Sequence, residues 1–177
     1  MRLILLLFYL CFSNGQVLTG LDQFKAINFN LLYNKKIGLI VNHSSIDKDG
    51  VHIVDLLSQY PEIVIDKIFS PEHGYRGIAS AGEAIENDID LISGAKIVSL
   101  YGLHKKPKIE YLRNIDVLVY DIQDIGSRYY TYISTMGIMM DVAANMSIPF
   151  IVLDRPNPLG RKVSGPNIET SQKSFVG

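Results

Sequence analysis

In "SPEHGYRG", residues 70–77, a glutamate, a histidine and an arginine fall within five positions, on a stretch that also holds a proline and two glycines. The apolar run "VIDKIF" before it reads as a buried strand. A strand that leaves the core straight into charge, on a bent backbone, places reactive groups at the floor of a cleft. Glu72, next to Pro71, would sit at the base, where partial burial favours the protonated acid and suits it to donate a proton. Asp121 and Asp124, in "YDIQD", could supply a second carboxylate. Two carboxyl groups flanking an acetal are what glycoside hydrolysis needs, and their separation decides retention or inversion. The plainer alternative is a structural Glu72, ion-paired to Arg76 or His73.

Arg76, Arg128 and Arg155 come from three different strand-end loops. Guanidinium forks suit a carboxylate or phosphate on a substrate, because they bond both oxygens at once. Each could equally pair with a neighbouring aspartate. "RYYTY", residues 128–132, offers aromatic faces for sugar stacking, although Tyr129 and Tyr132 in a helix would serve the core as well. His43, His73, Asp121 and Asp124 could meet around a metal, but no single element presents two imidazoles, so no metal site is expected. The chain lacks G-x-G-x-x-G after its first strand, a P-loop and a G-x-S-x-G elbow, so no nucleotide cofactor and no serine nucleophile are expected. The sequons "NHS" (42–44) and "NMS" (145–147) read as chance, and "HKKPK" with His104 as a solvated loop.

Five apolar runs must position these groups: "KIGLIVN", "IVIDKIFS", "AKIVSLYG", "IDVLVYDIQD" and "IPFIVLDRPNP". Helical spacing lies before the first, in "VLTGLDQFKAINFNLLYNKK", a helix with a turn, and between the others, in "DGVHIVDLLSQYP" and "RYYTYISTMGIMMDVAANMS". Near-continuous Val/Ile/Leu strands alternating with helices predict an α/β, Rossmann-like three-layer domain with a mainly parallel sheet. "IASAGEAIENDIDLISG" is the longest irregular connection. The polar clusters all follow strands: Asn42 and His43; Glu72 and His73; Tyr101 and Gly102; Asp121, Gln123 and Asp124; Asp154, Arg155 and Asn157. In open parallel sheets those carboxyl ends share one edge, where ligands bind.

A formal net charge of -1 without basic runs indicates neither a nucleic-acid partner nor an anionic membrane surface. The start, "MRLILLLFYLCFSNGQ", has an early arginine, an apolar stretch and small residues at Ser13 and Gly15. It reads as a signal peptide over residues 1–15, cleaved near Ser13 or Gly15, too short to span a bilayer. The expected location is exported, periplasmic or secreted. Cleavage would remove the only cysteine, Cys11, and no later segment reads as transmembrane. Residues 16–160 read as the catalytic domain and 161–177 as the start of a junction, so the chain is expected to be an incomplete piece.

"GLIVNHSS", "FSPEHGYRG", "AGEAIE", "SLYG", "IDVLVYDIQDIGSRYYTYISTM" and "VLDRPNPLG", in this order and at these spacings, closely resemble the NamZ-type exo-β-N-acetylmuramidase family, long catalogued as YbbC-like proteins of unknown function. The resemblance covers about residues 17–177. It implies an enzyme that removes N-acetylmuramic acid from the non-reducing end of peptidoglycan fragments, with muropeptides or disaccharides as partners and no cofactor. It also implies a smaller C-terminal domain, absent from this chain, since family members are roughly twice as long. The family's glutamate falls on Glu72. His73, Arg76, Asp121, Gln123, Asp124, Arg128, Tyr130, Asp154, Arg155 and Asn157 fall in matching motif positions, and the arginines could grip the lactyl carboxylate of muramic acid. Ser164 stands where the family usually has a glutamate, which puts activity in question. The alternatives are a module that binds muropeptides without cleaving them, and a metal-dependent hydrolase of another anionic substrate.

Overall fold

A computed structural model describes residues 17–71, 74–76, 88–100 and 105–176. The five apolar runs form five strands: β1 (Lys35–Val41), β2 (Ile63–Ser70), β3 (Lys96–Ser99), β4 (Val117–Asp121) and β5 (Phe150–Val152). They build one sheet in the order β3-β2-β1-β4-β5, and every pairing is parallel. This bears out the three-layer α/β reading, and all five carboxyl ends lie on one edge.

The strands read as continuous apolar runs because both faces of the sheet are covered. Ile37, Leu39 and Val41 of β1 face one core with Leu21, Phe24, Ile53, Val54 and Leu57. Ile40, between them, faces the other core with Phe69, Leu118, Met139, Val142 and Ala143. Gly38 shares this second face, and a Cβ there would meet Leu118 Cδ2 at 2.7 Å and Ile115 Cδ1 at 2.8 Å. Glycine is what lets those side chains close over the centre of the sheet.

Among the described residues three α-helices cover the faces: α1 (Gly20–Ala26), α2 (Ile53–Leu57) and α3 (Tyr132–Asn145). Thr19 and Asp22 form a reciprocal capping box at the start of α1. The first helical segment is broken where Asn28 and Phe29 take φ of 52° and 53°, and it resumes only as a 3-10 turn at Asn30–Leu32. α3 begins later than its sequence pattern suggests. Arg128–Tyr130 form a turn, and only from Tyr132 does the spacing Thr135, Met139, Val142, Ala143 bury one stripe. The long irregular connection falls partly outside the described residues, and its described end, 88–95, is turn-like with Asp90 buried.

Candidate active site

The loop leaving β1 is built by Asn42, Ser45 and His52. Asn42 is 1% exposed. Its Oδ1 accepts from Ser44 N at 2.9 Å and from Ser44 Oγ at 2.6 Å, an Asx turn that folds the chain back at the strand end. Its carbonyl accepts from His52 Nε2 at 2.9 Å, while His52 Nδ1 accepts from Val54 N at 3.3 Å and caps α2. Those two roles fix the proton on Nε2, and burial pushes the His52 imidazole below its ordinary value, favouring the neutral ring. Asn42 Nδ2 is buried and has no hydrogen-bond partner among the described residues.

β4 ends in Asp121, whose side chain is fully buried. Arg155, from the stretch after β5, donates Nε to Oδ1 at 2.6 Å and Nη2 to Oδ2 at 2.9 Å, and Nη2 also donates to Ile46 O at 2.9 Å. Ser45 Oγ donates to the Asp121 carbonyl. Burial pushes the Asp121 carboxyl up, with the guanidinium pulling it back. Both carboxylate oxygens are taken, so this geometry suits a clip between three strand ends better than the base expected for Asp121, or the substrate contact expected for Arg155.

The chain after β2 is tied down in a similar way. Arg76 donates to Asp55 Oδ1 at 2.6 Å and Oδ2 at 3.1 Å, and its Nε donates to Tyr75 Oη at 2.9 Å. Tyr75 Oη in turn donates to Asp90. Burial, then this carboxylate, push the Tyr75 hydroxyl up to about 12. Burial would raise Asp90, but bonds from Tyr75 and Ser93 outweigh it and hold the carboxyl below its usual value. The plain reading of Arg76, an aspartate partner, is thus the one its geometry supports. Glu72 and His73 lie outside the described residues, as do Tyr101 and Gly102. The strands that precede them in the sequence, β2 and β3, pair at their ends as Ser70 with Ser99.

Between the exits of β1 and β4 opens a cleft of about 390 Å³, lined by Asn42, His43, Ser44, Gln123, Ile125, Tyr129, Tyr130, Thr131 and Tyr132. Successive connections run one way from β1 to β2 and β3 and the other way from β4 to β5, so the cleft sits where the strand order reverses. Gln123 joins its two sides: its N donates to Ser44 Oγ at 2.9 Å, and its Nε2 donates to Asp124 O at 2.7 Å and Pro156 O at 3.0 Å. Tyr129 is 81% exposed, and Tyr130 packs edge-on to Tyr132 at 5.7 Å.

Of the residues predicted from sequence, the cleft gathers Asn42, His43, Gln123 and Tyr130. Asp124 lies beside it, with Oδ1 accepting from Gly126 N at 2.6 Å and Oδ2 buried and unpaired. Arg128 donates to Pro166 O at 2.6 Å, Asp154 uses its carbonyl to accept from Gly20 N at 2.6 Å, and Asn157 Oδ1 accepts from Leu159 N at 2.9 Å. These three support the rim rather than line the cleft. Sequence reading missed Ser44, Ile125 and Thr131. Ser44 carries a signal, an N-x-S turn directly after a buried strand, which the sequon pattern alone does not distinguish from chance. Among the described residues no group of three His, Cys, Asp or Glu side chains could hold a metal ion.

The family profile described as "Exo-beta-N-acetylmuramidase NamZ, N-terminal" matches residues 37–177, the stretch that begins in β1 and contains every loop of the cleft. The chain belongs to the NamZ family. Peptidoglycan beta-N-acetylmuramidase NamZ of Bacillus subtilis (strain 168) is 45% identical over 163 residues, covering 92% of this chain and 39% of that protein. Two crystal structures of DUF1343 family proteins from Bacteroides fragilis NCTC 9343 share the fold. One has a TM-score of 0.81 and 44% identity over 90% of this chain and 40% of its own; the other has 0.77 and 37% over 92% and 41%. The chain thus spans about two fifths of the length of these NamZ and DUF1343 relatives.

Proposed function

We propose that this chain forms the cleft-bearing N-terminal domain of an exo-β-N-acetylmuramidase that removes N-acetylmuramic acid from the non-reducing end of peptidoglycan fragments during cell-wall turnover. The observation that carries this reading is the NamZ match over 37–177, which coincides with the segment that builds the cleft. The cleft's composition supports it: exposed tyrosine rings for a sugar face, and short polar groups at the floor. Glu72, three positions before Tyr75 in the sequence, is the candidate proton donor. Asp124, beside the cleft rather than on its wall, is the candidate for electrostatic support, since Asp121 is held by Arg155. Asp121 and Arg155 hold the strand ends in register. In the full-length protein, Glu72→Gln should abolish turnover of a chromogenic N-acetylmuramic acid glycoside with an unchanged melting temperature. Retained turnover refutes the assignment.

A second reading, a module that binds muropeptides without cleaving them, is favoured by the capture of Asp121 in an ion pair. Calorimetric binding without released sugar by mass spectrometry would select it. Export is also part of the proposal, from the apolar start and its small residues at Ser13 and Gly15. Amino-terminal sequencing of the mature protein should begin near residue 14 or 16; an intact Met1 terminus in the exported fraction rules this cleavage out.

A further inference from the structure

Asn42 combines features that rarely occur together at a strand end. It is 1% exposed, it lines the cleft, and its amide orientation is fixed because Oδ1 must accept the Ser44 N–H. Ser44 Oγ donates to the same oxygen while accepting from Gln123 N, so that hydroxyl is committed too. The amide nitrogen is left as a buried donor with nothing to donate to. An orphaned buried donor is costly, and native structures keep one where a ligand or water completes it.

The chemistry of the missing acceptor can be narrowed. Among the described residues that line the cleft there is no lysine or arginine, whereas a carboxylate ligand is held best by a guanidinium fork. A sugar hydroxyl accepts too, but its proton then needs a second acceptor, and Asn42 Oδ1 already accepts twice. The other orphaned atom among the described residues, Asp124 Oδ2, is not on the cleft wall. A neutral carbonyl oxygen, which accepts and donates nothing, fits. Ile125 and the tyrosine rings offer apolar contact for a methyl group beside it. We propose that Asn42 Nδ2 donates to the acetamido carbonyl of the sugar and selects N-acetylated over N-deacetylated amino sugars. This rests on the glycosidase reading above and adds the group that recognises the acetyl substituent.

The test compares chromogenic N-acetylmuramic acid and N-deacetylated muramic acid glycosides, and the two free sugars as competitive inhibitors, on full-length wild type and Asn42→Asp. Aspartate keeps the oxygen that accepts from Ser44 and replaces the donor with an acceptor. The expected result is a loss of about 10- to 100-fold in kcat/KM on the acetylated glycoside, mainly through KM. Inhibition by the amine sugar should hold or tighten. Equal losses on both sugars, or no loss on the acetylated one, overturn the inference while wild-type cleavage keeps the glycosidase reading. Wild type that cleaves neither glycoside overturns both. If Asn42→Asp does not fold, wild type alone decides: a thioacetamido sugar, whose sulfur accepts poorly, should inhibit about tenfold more weakly than the acetamido sugar. Equal inhibition overturns the inference.

Discussion

Asp121 and Arg155 show how one buried charge pair shapes a whole rim. Removing one partner of such a pair leaves an uncompensated charge, which costs more than the pair itself contributes. Arg155→Met should therefore lower unfolding free energy by about 3–5 kcal/mol in urea titrations at neutral pH. The sign with pH follows from burial, which raises the folded-state carboxyl above its unfolded value. Once the guanidinium is gone, the folded state takes up the Asp121 proton at higher pH than the unfolded chain does. The variant's deficit relative to wild type should shrink as pH falls through the raised folded value and grow as pH rises through it. A deficit flat between acid and neutral pH would mean that Asp121 is not the group left unpaired.

The turn from β4 into α3 is the element on which the cleft wall depends. Gly126 has φ of 71°, and an added Cβ would strike the Asn157 side chain. Gly50 has φ of 80° with nothing within 4 Å, so it carries the backbone requirement alone. Gly50→Ala should cost about 1–2 kcal/mol from the left-handed conformation. Gly126→Ala should cost measurably more and should weaken the sugar binding proposed above, since Tyr129 and Tyr130 follow this turn. Matched losses in chemical denaturation would show that the Asn157 contact does not matter. Strand positions and order of elements were legible in the sequence because burial on both faces writes uninterrupted apolar runs. The late start of α3 was not, because Tyr129 and Tyr132 are alike in type yet one is 81% exposed and the other 8%. Nor was the fate of the arginines: their type fits a substrate anion and an aspartate equally, and only coordinates show Arg155 on Asp121 and Arg76 on Asp55.

At the scale of the molecule, parallel pairing explains why widely spaced motifs converge. Val41 pairs with Asp121 across the sheet, although 80 positions separate them in the chain. Sequence could foresee that strand ends share an edge, but not that the opening lies between β1 and β4, because strand order is not written in any one segment.

That same order has a consequence in time. β1 emerges early from the ribosome and can pair with β2 as soon as residue 70 is made, yet its other flank has no neighbour until residues 117–121 follow. The nascent chain therefore carries an open, apolar central strand over the 80 positions between Val41 and Asp121. The cleft between β1 and β4 cannot form before residues 123–132 have been made.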